Sequence, residues 1–139
     1  MRLPVIALLA CLLPLPAAGE VKDSRPEGFT LENSALVPSS ADETWDALVN
    51  HVGVWWPADP TWWGESAKGM GLDGTLEFRL APAEEGGTRI TLWYRAGGYS
   101  PDDLSAFAPV VDRVQALQLD GLVQFLRARH PDTESKQGD

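Results

Sequence analysis

The sequence predicts an α+β fold, and three observations carry the prediction. Two runs, 74–82 and 88–96, alternate apolar and polar residues on either side of a glycine-containing turn, the pattern of an antiparallel hairpin. A third run, 29–37, alternates in the same way and stops at Pro38. Two other segments, one after Ser40 and one after Pro109, repeat apolar residues at helical spacing. Antiparallel strands with helices segregated from them along the chain define α+β, not a wound parallel sheet.

The N-terminus reads as a targeting segment. Met1-Arg2 is a short basic start, and "VIALLACLLPLPAA" is an apolar stretch below the ~20 residues that span a bilayer. Ala17-Ala18-Gly19 supplies small residues for cleavage before Glu20. Residues 1–19 are therefore expected to be a signal peptide, with the mature chain periplasmic or secreted. An alternative reading makes Cys11, the one cysteine in the chain, the acylated residue of a lipoprotein.

The segment 20–28, "EVKDSRPEG", is polar and lacks periodicity, and is expected to be a flexible lead-in. A single domain is expected over 29–129. In "FTLENSALV", Phe29, Leu31, Ala35 and Val37 share one face of a strand. Ser40 and Glu43 have the spacing of a capping box. Ala41, Trp45, Leu48, Val49 and Val52 then follow as the apolar stripe of a short helix that Gly53 ends. "VWWPADPTWWGESAKGMG" is a long Pro- and Gly-rich connection, and loops of that length commonly bind or cover something.

In the hairpin, Leu76, Phe78 and Leu80 oppose Thr75, Glu77 and Arg79, and Ile90, Leu92 and Tyr94 oppose Arg89, Thr91, Trp93 and Arg95. Trp93 thus stands among arginines, where a guanidinium can stack on it. Ser100-Pro101-Asp102-Asp103 starts a helical turn, and Pro109 restarts it as a long helix. At 100° per residue, Val110, Val111, Val114, Leu117, Leu122, Phe125 and Leu126 fall on one face, with Asp112, Arg113, Asp120, Gln124 and Arg127 opposite. Gln118 places an amide in the apolar stripe, and Gly121 leaves room there for another element to approach. The last residues, 130–139, are expected to be a disordered tail.

Composition excludes several classes. A net charge of −9 opposes binding to nucleic acid or anionic lipid, since both need a positive field. The two histidines, His51 and His130, fit no metal-ligand spacing, and the glycines at 64, 69, 71 and 74 lack the Lys-Ser/Thr ending of a phosphate loop. No serine stands in a nucleophile elbow. The acid pairs Asp42-Glu43 and Asp102-Asp103 sit at helix starts, where the dipole favours them. No catalytic residue, metal or cofactor is assigned, and no integral membrane segment is expected after signal cleavage.

"FTLENSALVPSSADETWDALVNHVGVWW", "GTLEFRLAPAEEGGTRITLWYRAGGY" and "APVVDRVQALQLDGLVQFLRA" resemble, in that order, the first strand and helix, the last two strands and the C-terminal helix of the START-like (SRPBCC) helix-grip superfamily of polyketide cyclases/dehydrases and lipid-transport proteins. The resemblance implies a sheet gripping a long helix around an apolar cavity. It also implies a shortened chain, because about four further strands, roughly 40–50 residues at usual strand and turn lengths, have no counterpart after "AKGMGLD". The surviving strands would form a three-stranded antiparallel sheet in the order 74–82, 88–96, 29–37, packed on the C-terminal helix.

The expected function is a domain that binds a small apolar molecule, or a reduced derivative of such binders. The expected ligand-binding residues are Trp55, Trp56, Trp62 and Trp63 at the cavity mouth and Gln118 on the helix. The indoles would alternatively cover sheet surface bared by the lost strands. Two rival readings remain: a cyclase- or hydratase-type enzyme, and an interaction module that pairs through an open edge strand. A monomer with the 54–73 loop over the edge is preferred, with an edge-strand dimer as the alternative.

Overall fold

A computed structural model of the chain describes residues 18–57 and 71–131. The elements are β1 (Ala18–Arg25), β2 (Gly28–Val37), α1 (Ala41–Asn50), the single turn α2 (Val52–Trp55), β3 (Gly71–Pro82), β4 (Thr88–Tyr99), a 3₁₀ turn (Leu104–Ala106) and α3 (Ala108–Ala128). The fold is α+β, with one antiparallel sheet and a long C-terminal helix on one of its faces.

The sheet has four strands in the order β1-β2-β4-β3. The expected order of three is present within it. The correction is the fourth strand: residues 20–25 of the expected lead-in, with Ala18 and Gly19, form β1 antiparallel to β2. "GEVKDSR" hides this strand because only Val21 packs inward, and the register shifts between Val21 and Asp23. What holds the strand is its backbone ladder, which leaves no trace in side-chain periodicity. The hairpin strands are also longer than their alternating cores, running to 71–82 and 88–99.

α1 starts as its sequence dictates. The Ser40 hydroxyl accepts from the Glu43 N–H at 3.2 Å, and the Ser40 N–H donates to Glu43 Oε2 at 2.9 Å. Ser40→Ala should cost about 1 kcal/mol of stability, read from urea denaturation. The Ser40 hydrogen bonds hold the Glu43 carboxyl below its ordinary range. A depressed carboxylate stabilises the fold above its unfolded-chain pKa, and that contribution is lost as pH falls through the folded value. Acid titration followed by NMR should therefore protonate Glu43 later than a free glutamate, and Ser40→Ala should move it back up.

Both helices are rotated from their expected faces. In α1 the residues turned inward are Thr44, Ala47 and, in part, Leu48, whereas Trp45 and Val49 are more than half exposed. Thr44 Oγ1 donates to the Ser40 carbonyl and lies 3.3 Å from the buried Ser39 hydroxyl, so a polar contact draws this side of the helix in. In α3 the buried residues are Ala108, Val111, Gln115, Gln118, Leu119, Leu122, Val123 and Leu126. Leu117 and Val110, placed on the inner face by periodicity, are exposed, and Asp112, placed outside, reaches the sheet.

The core has two apolar parts. One gathers Val37, Ala47, Trp55, Ile90, Leu119, Leu122, Val123 and Leu126 at the C-terminal half of α3. The other gathers Phe29, Leu31, Ala96, Leu104, Ala108 and Val111 at its N-terminal end. The 3₁₀ turn that precedes α3 is capped by Asp103, whose side chain accepts from the Ser105 N–H at 2.8 Å.

Candidate functional site

The placement of α3 decides what the sheet can offer. α3 rests on β2 and β1, and its contacts are concentrated there. The helix-side face continues across β4 onto β3, because Leu76, Phe78 and Leu80 lie opposite Tyr94, Leu92 and Ile90 in the ladder. Over β3 the described residues cover that face only in part. Leu72 and Leu76 are each over 40% exposed, and Phe78 and Leu80 are only partly buried. Phe78 and Leu80 still pack, partly buried, against the part of the core under the C-terminal half of α3, and the apolar strip, a trough along β3, is open among the described residues only at Leu72 and Leu76.

α1 borders this trough. It touches β3 and turns Glu43 and His51 towards α3, where they meet His130 at 3.5 Å and the Phe125 ring at 5.7 Å. At 100° per residue, Trp45 and Val49 fall on the side of α1 opposite the buried Ala47, and both are more than half exposed. Tyr94 crosses the floor. Its hydroxyl would lie 2.9 Å from a Cβ at Gly74, so the phenol occupies the space that a larger residue at 74 would need. Burial raises the Tyr94 pKa, which keeps the phenol neutral and able to donate a hydrogen bond.

Gln118 is buried in the inner face of α3, one turn from Gln115. Below this part of the helix, Asn33 Nδ2 donates to Asp112 Oδ1 at 3.0 Å. Asn33 Oδ1 and Gln115 Oε1 are buried and have no hydrogen-bond partner among the described residues. A polar layer thus separates the two apolar parts of the core. Gly19 closes it from the β1 side, where an added Cβ would meet both Asn33 and Asp112 within 3 Å.

The tryptophans divide. Trp55 is buried in the core, and its indole N–H donates to the Ala47 carbonyl at 2.8 Å. It pins α2 between α1 and α3 instead of lining the trough. Trp56 is about one-third exposed beside it, with ring centroids 5.6 Å apart. Trp62 and Trp63 lie outside the described residues. Trp45, which periodicity assigned to the core, is more than half exposed. Its exposure follows from the rotation of α1, which the apolar spacing alone does not disclose.

The other sheet face is polar. The Arg79 guanidinium stands 5.6 Å above the Trp93 ring and bonds Glu77 at 2.6 Å, in line with the stacking expected there. A shallow depression of about 490 Å³ on this face is lined by Asp23, Arg25, Glu27, Thr30, Trp93 and Arg95, among others. Among the described residues, no group of three or more His, Cys, Asp or Glu side chains is placed to hold a metal, and no helix is long and apolar enough to cross a membrane. His51 lies 3.1 Å from Asp46, on the α3 side of α1.

No protein-family model matches the chain, and no curated protein or solved structure matches it significantly.

Proposed function

We propose that this chain is a START-like, exported domain that binds a small apolar molecule in the trough over β3. The observation that carries the reading is the offset of α3 onto β1 and β2, which among the described residues leaves Leu72 and Leu76 exposed beside the partly buried Phe78 and Leu80 as an apolar strip along β3. Contiguous apolar surface of this kind marks interaction sites on soluble domains. The Tyr94 hydroxyl supplies a polar group to orient a ligand. Gln118, within the adjoining helix face, keeps its proposed role of bonding a ligand carbonyl or hydroxyl. The neutral phenol is suited to donating a hydrogen bond to a ligand carbonyl or hydroxyl.

The test is a fluorescence titration with a dansyl-labelled fatty acid. The wild-type chain should bind it saturably, and Leu76→Arg should weaken binding at least about tenfold by placing a charge on the floor. Circular dichroism should be unchanged, because Leu76 is exposed and its substitution leaves the core intact. Equal affinity of the two proteins would refute the trough as the binding surface.

A further inference from the structure

We propose that a second copy of this chain completes the trough, by antiparallel pairing of β3 with β3 of the second copy about a two-fold axis at Phe78. The inference rests on the trough as the binding surface and names what forms its far side.

The first ground is the direction of the hydrogen-bonding groups that face no strand among the described residues. The Ala83 N–H donates to the Gly87 carbonyl and the Gly98 N–H to the Glu27 carbonyl, each at 3.1 Å. Carried along the two ladders, these bonds set the parity: odd-numbered residues of β3 bond to β4, and even-numbered residues of β4 bond to β2. Leu72, Gly74, Leu76, Phe78 and Leu80 therefore aim their N–H and C=O groups away from the sheet. Pro82, with no N–H, ends that row.

The second ground is the contrast between the two edges. At the β1 edge the register shifts between Val21 and Asp23, and Lys22, Asp23 and Arg25 crowd the same stretch. Bulges and charges of this kind discourage pairing. β3 has neither a register shift nor an internal proline, and its ladder with β4 runs unbroken from Gly71 to Pro82.

The third ground is self-complementarity. With Phe78 opposite Phe78 of the second copy, Leu76 faces Leu80 on the trough side. On the polar side Glu77 faces Arg79 of the second copy, twice by symmetry, and opposite charges across a ladder stabilise it. An axis at Glu77 would set that carboxylate against itself. An axis at Leu76 would set Leu72 opposite Leu80 and Asp73 opposite Arg79, but it would place Phe78 against Gly74 and leave Glu77 opposite Thr75. A two-fold axis normal to the sheet keeps both α3 helices on the same face, so the two troughs join into one groove to which each copy contributes Phe78.

Sedimentation equilibrium over a range of concentrations should show a reversible dimer. Leu76→Pro removes an outward N–H without touching the β4 ladder and should weaken the dimer at least about tenfold. Glu77→Arg and Arg79→Glu should each weaken it by about the same factor, and the double exchange should restore it to within about threefold. A strictly monomeric chain, a dimer indifferent to Leu76→Pro, or a double exchange that fails to restore pairing would overturn the proposal. The dansyl fatty acid separates the two inferences. A monomer that binds it overturns the pairing and leaves the trough; a dimer that does not bind it overturns the trough and leaves the pairing.

Discussion

Leu122→Ala should lower the unfolding free energy by about 3 kcal/mol, whereas Leu117→Ala should change it by less than about 0.5 kcal/mol. The two leucines are five residues apart on α3, and apolar periodicity places both on the inner face. The structure separates them: Leu122 is fully buried among Val37, Ile90, Leu119 and Leu126, and Leu117 is 53% exposed. Truncating Leu122 removes its transfer free energy and leaves a void between helix and sheet. Truncating Leu117 removes surface that water already reaches, and alanine's helix propensity offsets part of even that. Urea denaturation of both variants measures the rotation of α3 directly. A larger loss at Leu117 than at Leu122 would mean that α3 docks on the face its leucines suggest and that the trough is covered.

That pair of leucines shows where the sequence stops being legible. The hairpin, β2 and the capping box at Ser40 are readable because each depends on residues close together in the chain. Alternation sets the inward face of a strand, and an N-cap is a contact across three residues. The rotation of α3 depends on a contact across 79 residues, from Asn33 to Asp112. Once that pair forms, Asp112 must face the sheet, and Gln115 and Gln118 follow it inward at helical spacing. Val110 and Leu117 are then turned out. A hydrophobicity pattern weighs a leucine above a glutamine at every position, so it cannot anticipate an amide layer in the core.

β1 was hidden for a related reason. Its inward-facing residues are Gly19, Val21 and Ser24, and only one of them is apolar. Val21 packs on the apolar part beneath the N-terminal end of α3, and the Ser24 hydroxyl reaches the Ser105 carbonyl at 3.5 Å. The strand is defined by its ladder to β2 and by the helix above it. The candidate site follows from the same cause. With β1 present, α3 has two strands to cover on the β2 side, and it sits there at the expense of β3. The exposed apolar strip on β3 is thus a consequence of an element that periodicity misses, and Trp45 is left exposed through the rotation of α1.

Gly121 is the position in α3 where sequence and structure agree most closely, and it carries the second large effect. A Cβ at Gly121 would stand 2.5 Å from the Trp55 carbonyl oxygen, an approach that only glycine permits. That carbonyl belongs to the last residue of α2, and Trp55 is anchored by its indole N–H on Ala47 and by burial in the core. Neither the backbone of α2 nor that of α3 can yield without moving the indole. Gly121→Leu should therefore undock α2 and expose Trp55, costing about 3–5 kcal/mol, the range for losing a buried aromatic side chain. Gly121→Ala should cost less, about 1–2 kcal/mol, since alanine's helix propensity returns part of the overpacking. The coupling is the sharper measurement. Trp55→Ala removes the same docking, so Gly121→Leu in that background should cost well under half of what it costs alone. Additive losses in the double-mutant cycle would show that Gly121 and Trp55 stabilise the fold independently, and that the close approach of α2 to α3 is not what fixes the helix in place.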